Sequence, residues 1–180
     1  PTSRNAIQVA KIAEDIGISG IAIHGRTRAC RFVGEVEYLS IAEVASSVDI
    51  PVFANGDITT PHKAEEVIRS TGAAAVMIGR AARGNPWIFN QIEYFFKYKK
   101  LVGPPSSAEF RRVLLKHMHW VHEFYGELIG VKIFRKHLNC YLPKSRDFTR
   151  FFNTLPTIKE QKQALVSHLD HNNKMGEKAA

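Results

Sequence analysis

Three polar clusters punctuate the first half of the chain: His24-Gly25-Arg26, Asn55-Gly56-Asp57 and Gly79-Arg80. Each follows a short apolar run. Glycine lets a backbone approach a ligand and adopts positive φ. Turns at strand ends leave N–H groups that grip phosphate oxygens. Arg80 adds a fixed charge and a planar fork suited to phosphate. Gly56 and Gly79 therefore read as two halves of a phosphate cradle, or else as ordinary turn residues. His24 reads as a satisfied core histidine, or as a donor to a phosphate or a ring carbonyl. Arg26, Arg28 and Arg31 crowd one loop, as a solvated surface or as a contact for a polyanion.

The elements that must carry these residues alternate. Ile7, Ala10 and Ala13, with Val9, Ile12 and Ile16, recur at helical spacing over residues 4–17. Gly17 follows as a helix stop. Gly20–His24 is an apolar run suited to a buried strand. Leu39–Val48 reads as a helix and Pro51–Ala54 as a second strand. Thr60 and Pro61 suit the start of a third helix, with Ala64, Val67 and Ile68 as its stripe and Gly72 as its stop. Ala74–Ile78 is a third strand, and a helix runs from about Pro86 to Tyr98. Short strands suited to burial on both faces, joined by helices, imply a parallel α/β sheet. An open doubly wound sheet concentrates its ligand groups at one switch point. Polar residues at three successive strand ends favour a (β/α)8 barrel, whose active face lies there. Such a barrel has eight strands and three are legible, so the rest is expected upstream or in another chain. The absence of an initiator Met also suggests a piece of a longer protein.

Gly103-Pro104-Pro105-Ser106 reads as a linker. Ser106 or Ser107 caps the next helix, with Phe110, Val113, Leu114, His117, Val121 and Phe124 on its apolar face and Gly126 at its end. A second helix over about 128–142 is expected to bury Ile129, Ile133, Leu138 and Tyr141. Thr157–Glu160 is a capping box, and a polar tail is expected from His171. Lys132, Arg135 and Lys136 share a helical face, and no acidic residue interrupts Val131–Arg146. His119 and His122 share a face too, but no pattern completes a metal site, and none is expected. Phe148, Phe151 and Phe152 read as core rather than as base-stacking platforms.

Composition narrows the classes. Of 180 residues, 44% are hydrophobic and 23% charged, which suits a folded domain rather than a disordered one. No apolar run approaches the roughly 20 residues of a membrane helix, and the first residues lack a signal-peptide core. Cys30 and Cys140 form no motif, so no disulfide is expected, and a reducing cytoplasm is the simpler setting. The net charge of +8 is uneven. Residues 1–106 hold 12 Lys+Arg against 10 Asp+Glu, and residues 107–180 hold 13 against 7. The basic second half suggests a polyanionic partner or a solubilising surface.

The segments IAIHGRTRACRFVGEVEY, IPVFANGDI and VMIGRAARGNPWIF, in this order, resemble late strands and loops of the bacterial tRNA-dihydrouridine synthases, most closely the B-type branch. The resemblance continues through GVKIFRKHLNCYL and covers nearly the whole chain. It implies the C-terminal part of an FMN-binding (β/α)8 barrel over residues 1–102, a helical tRNA-binding domain over 107–170 and a flexible tail over 171–180. Asn55, Gly56 and Asp57 would border the FMN phosphate after strand 7, and Gly79 and Arg80 after strand 8. His24 would contact the flavin from strand 6, with Arg26 in the same cofactor-binding set. Arg28, Lys132, Arg135 and Lys136 would contact tRNA, mostly to position it. The family's reaction reduces the uridine C5=C6 bond with NADPH as reductant, on a base drawn out of its stack. Its catalytic cysteine and flavin-contacting lysine belong to the N-terminal half of the barrel. Neither Cys30 nor Cys140 matches, so no catalytic residue is assigned here. Two other readings stay open: a non-catalytic tRNA-binding remnant, and another FMN barrel such as a dihydroorotate dehydrogenase-like oxidoreductase. The basic helical half and the HGRTR loop argue against the latter. Self-association covering the barrel edges is a further expectation.

Overall fold

A computed structural model of the protein describes residues 4–30 and 33–177. Arg31, grouped above with Arg26 and Arg28, and residues 178–180 of the expected tail lie outside the described residues. The chain divides into two compact units. One holds Pro1–Ala82 and Pro86–Val102, the other Arg83–Asn85 and Gly103–Ala180. Among the described residues no helix is long and apolar enough to cross a membrane.

The first unit alternates as expected: α1 (Ala6–Asp15), β1 (Ile21–His24), α2 (Tyr38–Ala45), β2 (Val52–Asn55), α3 (Pro61–Thr71), β3 (Ala75–Met77), a 3-10 turn (Arg80–Ala82) and α4 (Ile88–Tyr98). The strands are parallel, in the order β1-β2-β3. The punctuation of α3 follows from side-chain chemistry. Thr60 Oγ1 accepts from the Lys63 N–H at 3.1 Å, Pro61 occupies the first turn, and Gly72 closes the helix at φ 66. Glu14 Oε1 accepts from the backbone N–H groups of Asp49 and Ile50 at 2.6 and 3.1 Å, tying α1 to the entry of β2.

The core is one-sided. Val52 and Ala54 of β2 pack with Ala10, Ile41, Val44, Ala64, Val67, Ile88 and Ile92 from the helices. Strand side chains alternate between faces, so Ala22, His24, Phe53 and Met77 point to the other face and are exposed. In this chain that face of the strands is left uncovered, as three strands of a barrel would leave it. An apolar run shows that a face tolerates burial, but only a neighbouring element supplies it. The stripe expected on α1 is likewise buried only at Ala10, with Val9, Ile12 and Ile16 exposed.

In the second unit, α5 (Ser107–Tyr141) is two helical arms meeting at Gly126, whose φ of 68 and ψ of −179 leave the helical region. The arms fold back on each other. His117 lies against Phe134, His137 and Tyr141, and His122 lies against Phe134. A β-carbon at Gly130 would stand 3.1 Å from the Val121 carbonyl oxygen, so the arms approach closely there. Residues between 122 and 130 round the turn beyond this contact. Phe124 and Ile129, expected in the core, are therefore 81% and 55% exposed. α6 (Arg146–Phe152) and α7 (Ile158–Glu177) complete the unit. Ser106 caps α5 through the Glu109 N–H at 3.2 Å. Thr157 and Glu160 form the reciprocal capping box, with Glu160 Oε2 accepting from the Thr157 N–H and Thr157 Oγ1 from the Glu160 N–H. α7 continues through Glu177, past the point where a tail was expected.

Candidate functional site

Parallel register builds the site. His24, Asn55 and Met77 are partners in neighbouring strands, so they form a row across the strand ends. Two hydrogen bonds bind the row. His24 Nδ1 lies 3.0 Å from the Asn55 carbonyl oxygen, and Asn55 Nδ2 donates to the Met77 carbonyl at 2.7 Å. A carbonyl only accepts, so Nδ1 carries the proton and Nε2 is left as an acceptor while the ring is neutral.

The loop after β1 returns across this row. Gly25 N–H donates to the Asn55 carbonyl at 3.1 Å, and Glu37 N–H to the Gly25 carbonyl at 2.8 Å. A β-carbon at Gly25 would sit 2.4 Å from Val36 Cγ1, and one at Gly56 2.7 Å from the same atom. The side-chain space at Gly56 is thus filled by Val36, a packing role that the ligand-approach reading of this glycine did not include. Tyr38 OH donates to the Gly56 carbonyl at 2.7 Å and braces the turn.

Asp57 joins the clusters. Its carboxylate accepts from both Arg26 Nη2 and Arg80 Nη2. The hydrogen bond from Arg26 and the charges of both arginines hold its carboxyl below the usual range, against the opposing effect of burial. Arg26 also donates through Nε to the Gly34 carbonyl at 3.0 Å, and its side chain is 3% exposed. Arg80 stays at the surface.

His24, Asn55, Gly56, Asp57, Gly79 and Arg80 line one concavity of about 240 Å³, with Met77 and Thr59. A β-carbon at Gly79 would meet nothing within 4 Å, so the backbone there borders open space. Arg26 does not line this concavity. With Arg28 it lines a second one of about 430 Å³, and His24 borders both. Six of the seven residues read as cofactor-binding line the first concavity, and the seventh, Arg26, reaches it only through its bond to Asp57. Met77 and Tyr38 were missed. The Tyr38 signal was its place at the end of the GEVEY loop, whereas Met77 enters only through register.

The remaining candidates belong to the other unit. Lys132 and Lys136 are exposed. Arg135 is half-buried, and its Nη2 donates to the Leu155 carbonyl at 2.9 Å. The three residues expected on one face are thus divided, with Arg135 pinning the hairpin to the chain before α7. Of the phenylalanines, Phe152 is buried, Phe148 stacks on His168 at 3.7 Å, and Phe151 is 54% exposed. His119 faces outward beside Glu123, whereas His122 turns into the core to Gln161. Cys30 and Cys140 are free.

Parallel βα units with polar strand ends and a concavity at the last two strands, lined by Asp57 and Arg80 among others, suit the C-terminal part of a (β/α)8 barrel, here followed by a small helical region. The dihydrouridine synthase family model matches residues 1–174, and the chain belongs to that family. It is 47% identical over 174 residues to tRNA-dihydrouridine synthase B of Salmonella typhimurium LT2, covering 95% of this chain and 54% of the relative. The same figures hold for tRNA-dihydrouridine synthase B of Escherichia coli K12. The Pseudomonas syringae pv. tomato protein of that name is 48% identical over 162 residues, 88% of this chain and 48% of its own length. The chain spans about half the length of the curated relatives it matches. Family membership sets aside the dihydroorotate dehydrogenase-like alternative.

Proposed function

We propose that this chain supplies the flavin-phosphate end of the active site and an RNA-docking helical domain in an FMN-dependent tRNA-dihydrouridine synthase. The observation that carries the reading is the joining of two strand ends by Asp57 and Arg80 around the smaller concavity. Whole ligand pockets run to roughly 300–1,000 Å³, so about 240 Å³ suits a phosphate and its ribityl neighbour rather than an entire flavin. Gly79 borders that space without filling it, and Arg80, paired to Asp57, lines it. The residues present therefore fit the phosphate of FMN.

Bound there, FMN would supply the hydride for the uridine C5=C6 bond, with NADPH as its reductant. Arg80 would hold the phosphate, oriented by Asp57. Asn55 would keep the strand ends closed, and His24 would present Nε2 as an acceptor toward the ring. The general acid is assigned to no residue of this chain. Cys140 Sγ lies 3.4 Å from the Lys136 carbonyl oxygen, inside its own helix. Residues 107–170 would dock tRNA through Lys132 and Lys136, with Arg135 as a brace. Free cysteines suit a reducing cytoplasm. Self-association would cover the exposed barrel edges.

Titrating the purified chain with FMN and with riboflavin tests this. FMN should bind more tightly than riboflavin, and Arg80→Ala should reduce that preference by about tenfold or more, since a hydrogen bond to a charged group contributes about 1.5–3 kcal/mol. Equal affinity for the two flavins, or no flavin uptake at all, would leave the non-catalytic tRNA-binding reading in its place.

A further inference from the structure

The turn after β2 has an uncommon backbone. Gly56 has φ 138, and Asp57, which carries a side chain, has φ 44. Positive φ at a residue other than glycine is disfavoured and persists where the surroundings hold it. Two contacts do so here. Gly56 is buried, and a β-carbon on it would stand 2.7 Å from Val36 Cγ1. Tyr38 OH donates to the Gly56 carbonyl at 2.7 Å and so ties the peptide between Gly56 and Asp57. Tyr38 is itself fixed. It opens α2, packs against the core, and has Lys63 Nζ 4.8 Å from its ring centre. Burial pushes its hydroxyl above the usual tyrosine range, so it stays a donor at neutral pH. In a trans peptide the carbonyl and the following N–H point in opposite directions. With the carbonyl tied to Tyr38, the Asp57 N–H points away from Tyr38. Among the described residues that N–H has no hydrogen-bond partner. Gly56 and Asp57 line the smaller concavity, whereas Tyr38 does not.

We infer that Tyr38 is a positioning residue for the cofactor's phosphate: by anchoring the Gly56 carbonyl it holds the Asp57 N–H toward the smaller concavity as a phosphate donor. The inference rests on the flavin-phosphate reading of that space. Tyr38 touches no ligand itself and acts through one peptide unit. Glycine on one side of that peptide leaves it free to rotate. A rotated peptide would present a carbonyl oxygen in place of the N–H, and an oxygen repels phosphate. The hydroxyl thus sets the sign of the dipole that faces the anion. Without it the buried Gly56 carbonyl would also lose its acceptor bond, which favours the rotation further.

The test compares Tyr38→Phe with the unaltered chain in titrations of FMN and of riboflavin, which lacks the phosphate. The variant keeps the ring and removes only the donor. Its affinity for FMN is expected to fall about tenfold, as for loss of a charge-assisted hydrogen bond, while its affinity for riboflavin changes little. A merely structural role would weaken both flavins alike, and that result overturns the inference. An FMN preference that is the same in variant and unaltered chain overturns it too, and leaves the flavin-phosphate reading standing. A second measurement needs no variant and decides the matter if Tyr38→Phe does not fold. In the unaltered chain the NMR signal of the Asp57 amide should move on adding FMN and stay in place with riboflavin. A signal that responds equally to the two flavins overturns the inference. Equal affinity of the unaltered chain for both flavins, or uptake of neither, would remove the flavin-phosphate reading itself, and the role of Tyr38 with it.

Discussion

Asp57 is shared by two arginines, and its loss should be felt through both. Because its carboxyl is held below the usual range, its contribution to stability is present above the ordinary carboxylate pKa and is lost as pH falls through the depressed native value. Asp57→Asn should therefore cost on the order of 1 kcal/mol at about pH 7, the exposed part of the site being screened. Wild type and variant should converge in acid, once the pH lies below the depressed native value. Urea unfolding at neutral pH and in acid reads this, and a difference that persists in acid would mean the carboxylate's charge is not what stabilises the turn. The same residue shows the limit of residue-level reading. NGD announces a turn with a charge, but its partners come from positions 26 and 80, which only the fold brings to one carboxylate.

At the scale of elements, caps and buried polar groups decide the helical unit. Thr157→Ala removes half of a capping box and should cost about 1 kcal/mol. Gln161 is wholly buried. Its Oε1 faces His122 Nε2 at 3.1 Å, and its Nε2 donates to the Val131 carbonyl at 3.2 Å. Gln161→Leu would strand both partners and should cost about 1–3 kcal/mol, more than the cap. Chemical denaturation of the two variants orders them, and a larger loss from the cap would contradict the buried network. The cap was legible because its four residues are contiguous. The glutamine was not, since a polar residue in an amphipathic pattern ordinarily reads as surface.

At the scale of the whole molecule, acid and salt act on different features. Burial holds His117, His122, His137 and His168 below the ordinary histidine range. Below about pH 6.5 the unfolded chain takes up protons first, so the helical unit's stability should be full above that value and fall as pH drops through the depressed native values. Thermal unfolding at a series of pH values checks the direction, and His117→Gln with His122→Gln should flatten it. The charge of +8 sets the long-range attraction to a polyanion. Lys132→Glu with Lys136→Glu should weaken tRNA binding and lower its salt slope by about one or more. Unchanged binding would remove the helical face from the RNA surface.

By itself, the sequence determined what is local. Apolar periodicity set the alternation of helices and strands, and contiguous chemistry set the punctuation at Thr60, Gly72, Ser106, Gly126 and Thr157. The polar strand ends were readable because each cluster is continuous in the chain. Tertiary structure decided what depends on separated residues meeting. Register put His24, Asn55 and Met77 in one row. The return of the loop placed Val36 against Gly56, and the hairpin divided Arg135 from Lys132 and Lys136. It also decided which apolar faces are covered, because burial is a property of a neighbour's position, and a one-dimensional pattern records only the capacity to be buried.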